Sequence, residues 1–276
     1  AVFAGLNGLA VAFGGFVQSL LTGIKVLLIL VLAAAVFYFG PAPHGGATAP
    51  PVAFGFGAFG LATLSALWAY DGWESIARVA GEIKNPQSNL PLSLLVGILA
   101  VFGLYTLLNV AYFYVLPLSE IANANSTAYP EAPPVATKAV MHFLGAGGVR
   151  ILSAVFVVST LGAMNGCIMT SARLPFAMAR DGLFFKFLSA VSPRTHVPVR
   201  AVWTQALVAA LLALTGTFDQ LTNNVVFSAW IFYGLTGLAV FVLRKSRPDW
   251  PRPFRVPLYP LTPALFVLMA FVLVIN

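Results

Sequence analysis

Long apolar runs separated by short polar segments dominate the pattern of this chain. An α-helix needs about 20 apolar residues to cross a bilayer core, and the runs reach that length. They lack the ten-residue alternation of barrel strands, so helices are the expected form. The pattern predicts one transmembrane domain over residues 1–276 with seven spanning helices: 14–38, 53–80, 91–116, 149–176, 199–217, 221–243 and 258–276.

Breaker residues support these boundaries. The segments Gly40–Pro51 and Asn125–Pro134 are rich in residues that end helices. Pro91 stands near a predicted helix start, where its missing N–H costs little. The stretch PPVATKAVMHFLG, residues 133–145, predicts a short helix outside the bilayer core. Both chain ends lie close to apolar runs, and we expect the chain to be a fragment of a longer protein.

Composition agrees with a membrane protein. Apolar residues make up 59% of the chain and charged residues 8%, whereas roughly a quarter of the residues of a soluble domain are charged. A water-soluble core of this size is implausible, so lipid is the expected solvent. The chain has one cysteine, Cys167, and therefore no internal disulfide.

The basic residues predict orientation. Most of them lie in residues 78–90, 173–200 and 244–257, which fall on one side if the seven spans alternate. The loops of the other side carry only Lys138 and Arg150. The positive-inside rule places the three basic segments in the cytoplasm. A nucleic-acid surface would need cations and aromatics interleaved on one folded face, so no nucleic-acid partner is expected.

The motif DGWE, residues 71–74, has the spacing of a capping box inside an apolar run. Asp71 would accept from the N–H of Glu74, and the Glu74 side chain would return to the N–H of Asp71. Gly72 relaxes the backbone beside them. Two interpretations are equally weighted at this point. The span is broken around a cavity that binds a small substrate, or an interfacial helix begins where the span 52–70 ends.

Lys25 lies near the middle of the span 14–38, roughly 17 Å from either interface. Its stem is too short to bring the ammonium to water from there. Lipid exposure would cost several kcal/mol, so the side chain must face a partner or a wet cavity. A structural lysine bonded to backbone carbonyls is the plainer alternative, and the two roles can coincide.

Small and polar residues recur in the predicted span 149–176 at helical spacings of three and four. Ser159, Gly162, Asn165, Gly166 and Thr170 therefore include several that share one face. Such a face lines a pathway or packs closely against another helix, and packing is the commoner case.

Other signals are weak. The three histidines are far apart in loops, which predicts no metal site. GFGAFG, residues 55–60, lies in an apolar span, so packing is favoured over nucleotide binding. An intramembrane enzyme using Asp71 and Glu74 would lack a nucleophile, so neither enzymatic activity nor a cofactor is expected. Tyr233 fits a cavity, a core or an interface.

Lys25, AYDGWES, GEIKNPQSNLP and NGCIMTSARLPFAMARDGLFF occur in this order along the chain. The combination resembles the L-type amino acid transporter family of the amino acid–polyamine–organocation superfamily. The resemblance implies an all-α, polytopic membrane helix bundle with a LeuT-like fold of inverted repeats. It places the chain from the end of the fourth helix to the eleventh, with the second repeat complete and the first mostly missing. Residues 53–80 become the sixth helix, which the family unwinds at the substrate, and this favours the broken span.

The same resemblance implies the site. Trp68 is the aromatic gate, and the unwound segment and one further helix contribute substrate contacts: Ala69, Tyr70, Asp71, Gly72 and Asn165. Lys25 is the surrogate for a cation site.

Two residues are candidates for coupling or specificity. Glu74 stands where better-known family members often have asparagine, so the substrate's side-chain class stays open. Tyr233 is the other candidate, and it is chosen from its position in the sequence rather than from the family resemblance.

The implied function is transport of amino acids by alternating access, as sodium-independent exchange or facilitated uptake of neutral amino acids in the bacterial inner membrane. A proton-coupled symporter and a channel or ligand sensor on the same fold are the alternatives. An accessory single-span subunit is expected only for an animal-type parent, and Cys167 lies too deep in a helix to tether it. Which amino acid is carried and the oligomeric state are left open.

Overall fold

The computed structural model describes residues 2–9, 11–40, 55, 63, 66–67, 69–126 and 129–275. The all-α class expected from the sequence is confirmed over these residues. In chain order the helices are α1 (Val2–Leu9), α2 (Val11–Phe39), α3 (Ser75–Arg78), α4 (Pro86–Val115), α5 (Leu118–Ala122), α6 (Val135–Ser171), α7 (Arg173–Arg180), α8 (Val199–Thr215), α9 (Phe218–Ser246) and α10 (Leu261–Ile275). Short 3₁₀ turns cover Ala80–Glu82 and Lys186–Ser189.

Several helices have the length and composition of membrane spans. Within the described residues, four stretches qualify: Gly14–Phe39, Pro86–Val115, Val135–Arg180 and Gln220–Ser246. Two apolar helices are shorter: Val199–Thr215 and Leu261–Ile275. Most of residues 53–68 lie outside the described part, so the seven-span count stays a prediction.

Two helix starts differ from the predicted spans for local reasons. Helix α4 begins at Pro86 rather than at Pro91, because a proline in the first helical position loses no hydrogen bond. Helix α9 begins at Phe218, where Thr217 and Gln220 form a capping box. Each side chain accepts from the main-chain N–H of the other residue, and this satisfies donors that a helix start leaves free.

The short helix predicted over residues 133–145 is present as the first part of α6, which starts at Val135. Gly145 interrupts its helical geometry with φ 58° and ψ −154°. A positive φ is inexpensive only for glycine, and this residue therefore separates an outer segment of α6 from the long apolar segment that follows.

The chain divides into two compact units. The first contains residues 1–79 and 93–203, and the second contains residues 80–92 and 204–276. In the first unit, α2 packs along α6, α1 contacts both, and α3 contacts α6. A core of small and branched apolar residues joins α2, the end of α4 and the outer part of α6: Ala33, Val36, Ala111, Val115, Leu116 and Ala139.

Glycines bring α2 and α6 close together. A Cβ at Gly162 would lie 3.2 Å from the Cβ of Leu21, and one at Gly166 would lie 3.2 Å from the Nε2 of Gln18. Small residues allow helix backbones to approach in lipid, where van der Waals packing drives association. Gly162 and Gly166 therefore serve helix packing, the commoner of the two interpretations, and a pathway along this face stays a prediction.

In the second unit, α9 packs against α10 in the same way. A Cβ at Gly237 would lie 2.8 Å from the Cγ2 of Val267, and one at Gly234 would lie 3.3 Å from the Cβ of Ala270. Larger residues at these two positions of α9 would push the helices apart.

Candidate functional site

The helical path of the chain is interrupted just before α3. Ala69 is helical, Tyr70–Glu74 forms turns, and α3 starts at Ser75. Gly72 has φ 100°, a value that residues with a Cβ rarely adopt. The chain is therefore not helical at Tyr70–Gly72, which fits a broken span and equally a span that ends there before an interfacial helix. Most of residues 53–68 lie outside the described residues, so the break within a span stays a prediction.

The prediction of a reciprocal capping box between Asp71 and Glu74 is wrong for Glu74, because its side chain has other partners. Oε1 of Glu74 accepts from Nη2 of Arg78 at 2.8 Å and from Oγ of Ser75 at 3.3 Å. The i, i+4 spacing brings the guanidinium within reach, and a charge-assisted hydrogen bond is stronger than one to a neutral amide. Among the described residues, the second carboxylate oxygen, Oε2, is buried without a hydrogen-bond partner.

Arg78 connects the short helix α3 to α6. Its Nη1 donates to Oγ of Ser171 at 3.3 Å, while its Nη2 holds Glu74. The carboxylate of Glu74 and the guanidinium of Arg78 thus form an ion pair close to the break, and Ser171 of α6 holds the guanidinium.

Tyr105 of α4 supports the break from the other side. Its hydroxyl donates to the main-chain oxygen of Ala69 at 2.8 Å. Its ring meets that of Tyr70 edge to face, with 5.0 Å between centroids. The end of a helix leaves carbonyl oxygens without intrahelical partners, and Tyr105 supplies a donor to one of them.

A cavity of about 320 Å³ lies between the broken segment and α4. Four predicted substrate residues line it: Ala69, Tyr70, Asp71 and Gly72. Further lining comes from residues that follow the break or belong to α4: Trp73, Ile76, Ser93, Leu94, Gly97, Ile98, Val101 and Tyr105. Trp68, the predicted gate, lies outside the described residues.

Asn165 is placed in a buried amide network rather than at this cavity. Its side chain is fully buried, and its Oδ1 accepts from Nδ2 of Asn7 at 2.8 Å. Its Nδ2 donates to Oε1 of Gln18 at 2.9 Å. The three amides join α6 to α1 and α2, so Asn165 stabilises the helix packing, and its contact with substrate stays a prediction.

Lys25 lies in α2 and is half-buried. Its Nζ is 4.0 Å from the point where a Cβ at Gly162 would stand, so the ammonium faces α6. Over the part of the chain that the structure describes, no hydrogen bond or ion pair to this ammonium is present. The mid-span location and the facing glycine agree with a role inside the protein, and the role as a cation surrogate stays a prediction.

Tyr233 lies on α9 in the second unit and is half-buried. Its ring meets that of Trp230 edge to face, 5.6 Å between centroids. Its predicted role in specificity is not tested by this contact. Among the described residues, no group of three His, Cys, Asp or Glu side chains could hold a metal.

Sequence reasoning missed three residues of these arrangements: Asn7, Gln18 and Tyr105. Each carries a polar group inside an apolar helix. Buried polar groups usually need hydrogen-bond partners, and that signal was available for the two amides. Tyr105 gave no such signal, since tyrosines occur in many apolar spans for packing alone.

The sequence is similar to curated amino acid transporters. It is 32% identical over 273 residues to the human b(0,+)-type amino acid transporter 1, covering 98% of this chain and 54% of that protein. It is 35% identical over 268 residues to the serine/threonine exchanger SteT of Bacillus subtilis, covering 96% of this chain and 59% of that protein. It is 31% identical over 278 residues to the mouse Asc-type amino acid transporter 1, covering 98% of this chain and 50% of that protein.

The chain therefore spans about half the length of the curated relatives it matches. A model of the amino acid permease family matches residues 1–276. The whole chain thus belongs to the amino acid permease family of polytopic membrane proteins.

Proposed function

We propose that the protein containing this chain exchanges neutral amino acids across the cell membrane by alternating access, without sodium. The observation that carries this proposal is the broken helix at Tyr70–Gly72, which lines a cavity in a member of the permease family. Main-chain groups freed by a break can bind the charged ends of a small zwitterion. Different contacts in outward-facing and inward-facing states would then move the substrate.

Neutral substrates and exchange are supported by the name of one relative and by the Glu74–Arg78 ion pair near the break. One relative is named a serine/threonine exchanger, and others are named amino acid transporters. Glu74 is already balanced by Arg78 at 2.8 Å, which leaves that pair without net charge for a charged substrate side chain. Independence from sodium rests on Lys25, whose mid-span ammonium would occupy the place of a metal ion.

Transport implies a specific placement in the cell. We propose the bacterial inner membrane, with residues 78–90, 173–200 and 244–257 in the cytoplasm, since cytoplasmic loops carry an excess of Lys and Arg. Cys167 lies within α6, so it is not proposed as a tether for an accessory subunit.

Counterflow tests this proposal. Full-length protein would be reconstituted in liposomes loaded with unlabelled serine, and uptake of labelled serine would be followed with and without external sodium. We expect preloading to accelerate uptake severalfold and sodium to have no effect. Uptake at the same rate with and without internal serine would contradict exchange and favour a channel or a sensor.

A second candidate, proton-coupled symport, is favoured by one observation. Over the residues that the structure describes, Oε2 of Glu74 is buried and has no hydrogen-bond partner. The discriminating measurement is uptake into empty liposomes under an inward proton gradient. Symport predicts accumulation that a proton ionophore abolishes and that Glu74→Gln removes, whereas exchange predicts no accumulation.

A further inference from the structure

Residues 244–259, here named the basic loop, comprise the last three residues of α9 and most of the segment that leads to α10 within the second unit. The basic loop contains five basic residues and one acidic residue, Asp249. It follows directly on a helix that is long and apolar enough to span a membrane. Its charge is therefore held beside the end of a span.

Arg252 folds the basic loop against the end of α9. Its guanidinium donates to four main-chain oxygens, and the donor–acceptor distances lie between 2.5 and 3.2 Å: those of Leu243, Arg247, Pro248 and Trp250. Carbonyl oxygens at the end of a helix need such donors. Arg252 is consequently a structural residue of the basic loop.

Arg244 is also engaged within the protein. Its guanidinium stacks on the ring of Tyr259, with 3.7 Å from Cζ to the ring centroid. The stacking closes the basic loop from its first residue to its last, so the segment has a defined shape.

Three other cations of the basic loop face outward: Lys245, Arg247 and Arg255. In the described part of the structure, none of them has a carboxylate within ion-pair distance. Arg247 is additionally near the ring of Trp250, 5.7 Å from Cζ to centroid.

Large apolar side chains are exposed between these cations. Trp250 is 54% exposed, Phe254 is 56% exposed and Leu258 is 74% exposed. Rings of this kind are unfavourable in water when they form a patch, but they are favourable at the level of lipid headgroups. A soluble polyanion would pair with the cations and leave the rings in water.

We propose that the basic loop binds anionic phospholipids of the adjacent leaflet. Lys245, Arg247 and Arg255 pair with the headgroup phosphates, and Trp250, Phe254 and Leu258 enter the acyl boundary. Each Lys or Arg near an anionic membrane surface strengthens the association with that surface roughly fivefold. The inference is independent of which substrate the protein carries.

Fluorescence quenching by brominated lipid tests the proposal. Full-length protein and its Trp250→Phe variant would be placed in phosphatidylcholine nanodiscs that contain dibrominated phosphatidylglycerol or dibrominated phosphatidylcholine at equal mole fraction. The difference between protein and variant isolates the signal of Trp250. We expect the anionic lipid to quench Trp250 at least about threefold more strongly, because acyl-chain bromines quench an indole only at short range and the cations recruit the anionic lipid to its surroundings.

Charge variants and salt supply the controls. Replacing Lys245, Arg247 and Arg255 by glutamine should abolish the preference, whereas Arg247→Lys with Arg255→Lys should keep it. High salt should weaken it in the unmodified protein, which tests the charge dependence without relying on a folded variant. Equal quenching by the two lipids, or a preference that survives both the glutamine variant and high salt, would overturn the proposal.

Discussion

The hydroxyl of Tyr105 donates a 2.8 Å hydrogen bond to the main-chain oxygen of Ala69, the last helical residue before the break. This contact makes α4 part of the candidate site although α4 itself is an uninterrupted helix. The geometry of the broken segment therefore depends on a side chain that lies some 36 positions later in the chain.

Removing this hydroxyl should weaken substrate binding. In Tyr105→Phe the oxygen of Ala69 loses its donor, and a net hydrogen bond of this kind contributes about 1 kcal/mol. We expect KM for uptake to rise about fivefold in proteoliposomes while protein yield stays unchanged. Tyr114→Phe removes a hydroxyl from the same helix at a position without a described hydrogen bond, and it should leave KM unaltered. Equal KM values for the two variants would refute the role of Tyr105.

Gly72→Ala should damage the site through the backbone alone. A Cβ at Gly72 would meet no atom within 4 Å, but φ is 100°. Alanine at positive φ costs roughly 1–2 kcal/mol, so we expect the broken segment to shift and the rate of uptake to fall about tenfold. Gly103→Ala is the matched control, because Gly103 has equal space and ordinary helical geometry. Normal uptake by Gly72→Ala would show that the strained conformation is dispensable.

Part of this architecture could be predicted because it follows from local chemistry. Apolar runs specify helices in lipid, and the Asp-Gly pair at residues 71–72 marks the break in one of them. The positive φ of Gly72 in the structure agrees with this sequence signal. The family resemblance then favoured a broken span over an interfacial helix, two interpretations to which the residues alone gave equal weight.

The other features depended on which side chains pair with one another. The side chain of Glu74 was predicted to accept from the N–H of Asp71, and this prediction is wrong because Glu74 pairs with Arg78. Nothing in the motif DGWE ranks these two partners. The partners of the Asn165 amide, Asn7 and Gln18, lie some 150 positions away in the chain, and the contact of Asn165 with substrate stays a prediction. Long-range side-chain pairing is set by how helices pack, and hydrophobic pattern alone does not specify that arrangement.

Asn165→Ala should lower the free energy of unfolding by more than the loss of a substrate contact alone would. It deletes two interhelical hydrogen bonds and leaves the amides of Asn7 and Gln18 partly unsatisfied. Interhelical bonds in membranes contribute about 0.6 kcal/mol on average, and unsatisfied buried groups add to the loss. We expect unfolding free energy to fall by about 1–3 kcal/mol, measured by thermal unfolding in detergent without substrate.

A double-mutant cycle separates the network from a local effect. Asn7→Ala and Asn165→Ala should be non-additive, because each removes the same hydrogen bond. Thr160→Ala on α6 removes only a bond to the helix's own carbonyl at Phe156, and it should change stability little. Additive losses for the Asn7 and Asn165 pair would contradict the proposed network.

Lys25→Ala should abolish or strongly impair amino acid uptake by the full-length protein in proteoliposomes. The ammonium lies mid-span beside Gly162, and its positive charge is proposed to replace a metal ion in holding the site. We expect the initial rate to fall more than about tenfold. Lys25→Met keeps the apolar length of the side chain without its charge, so an equal loss assigns the effect to charge. Lys84→Ala removes an exposed lysine outside the spans and should transport normally. Near-normal uptake by Lys25→Ala would remove Lys25 from the mechanism.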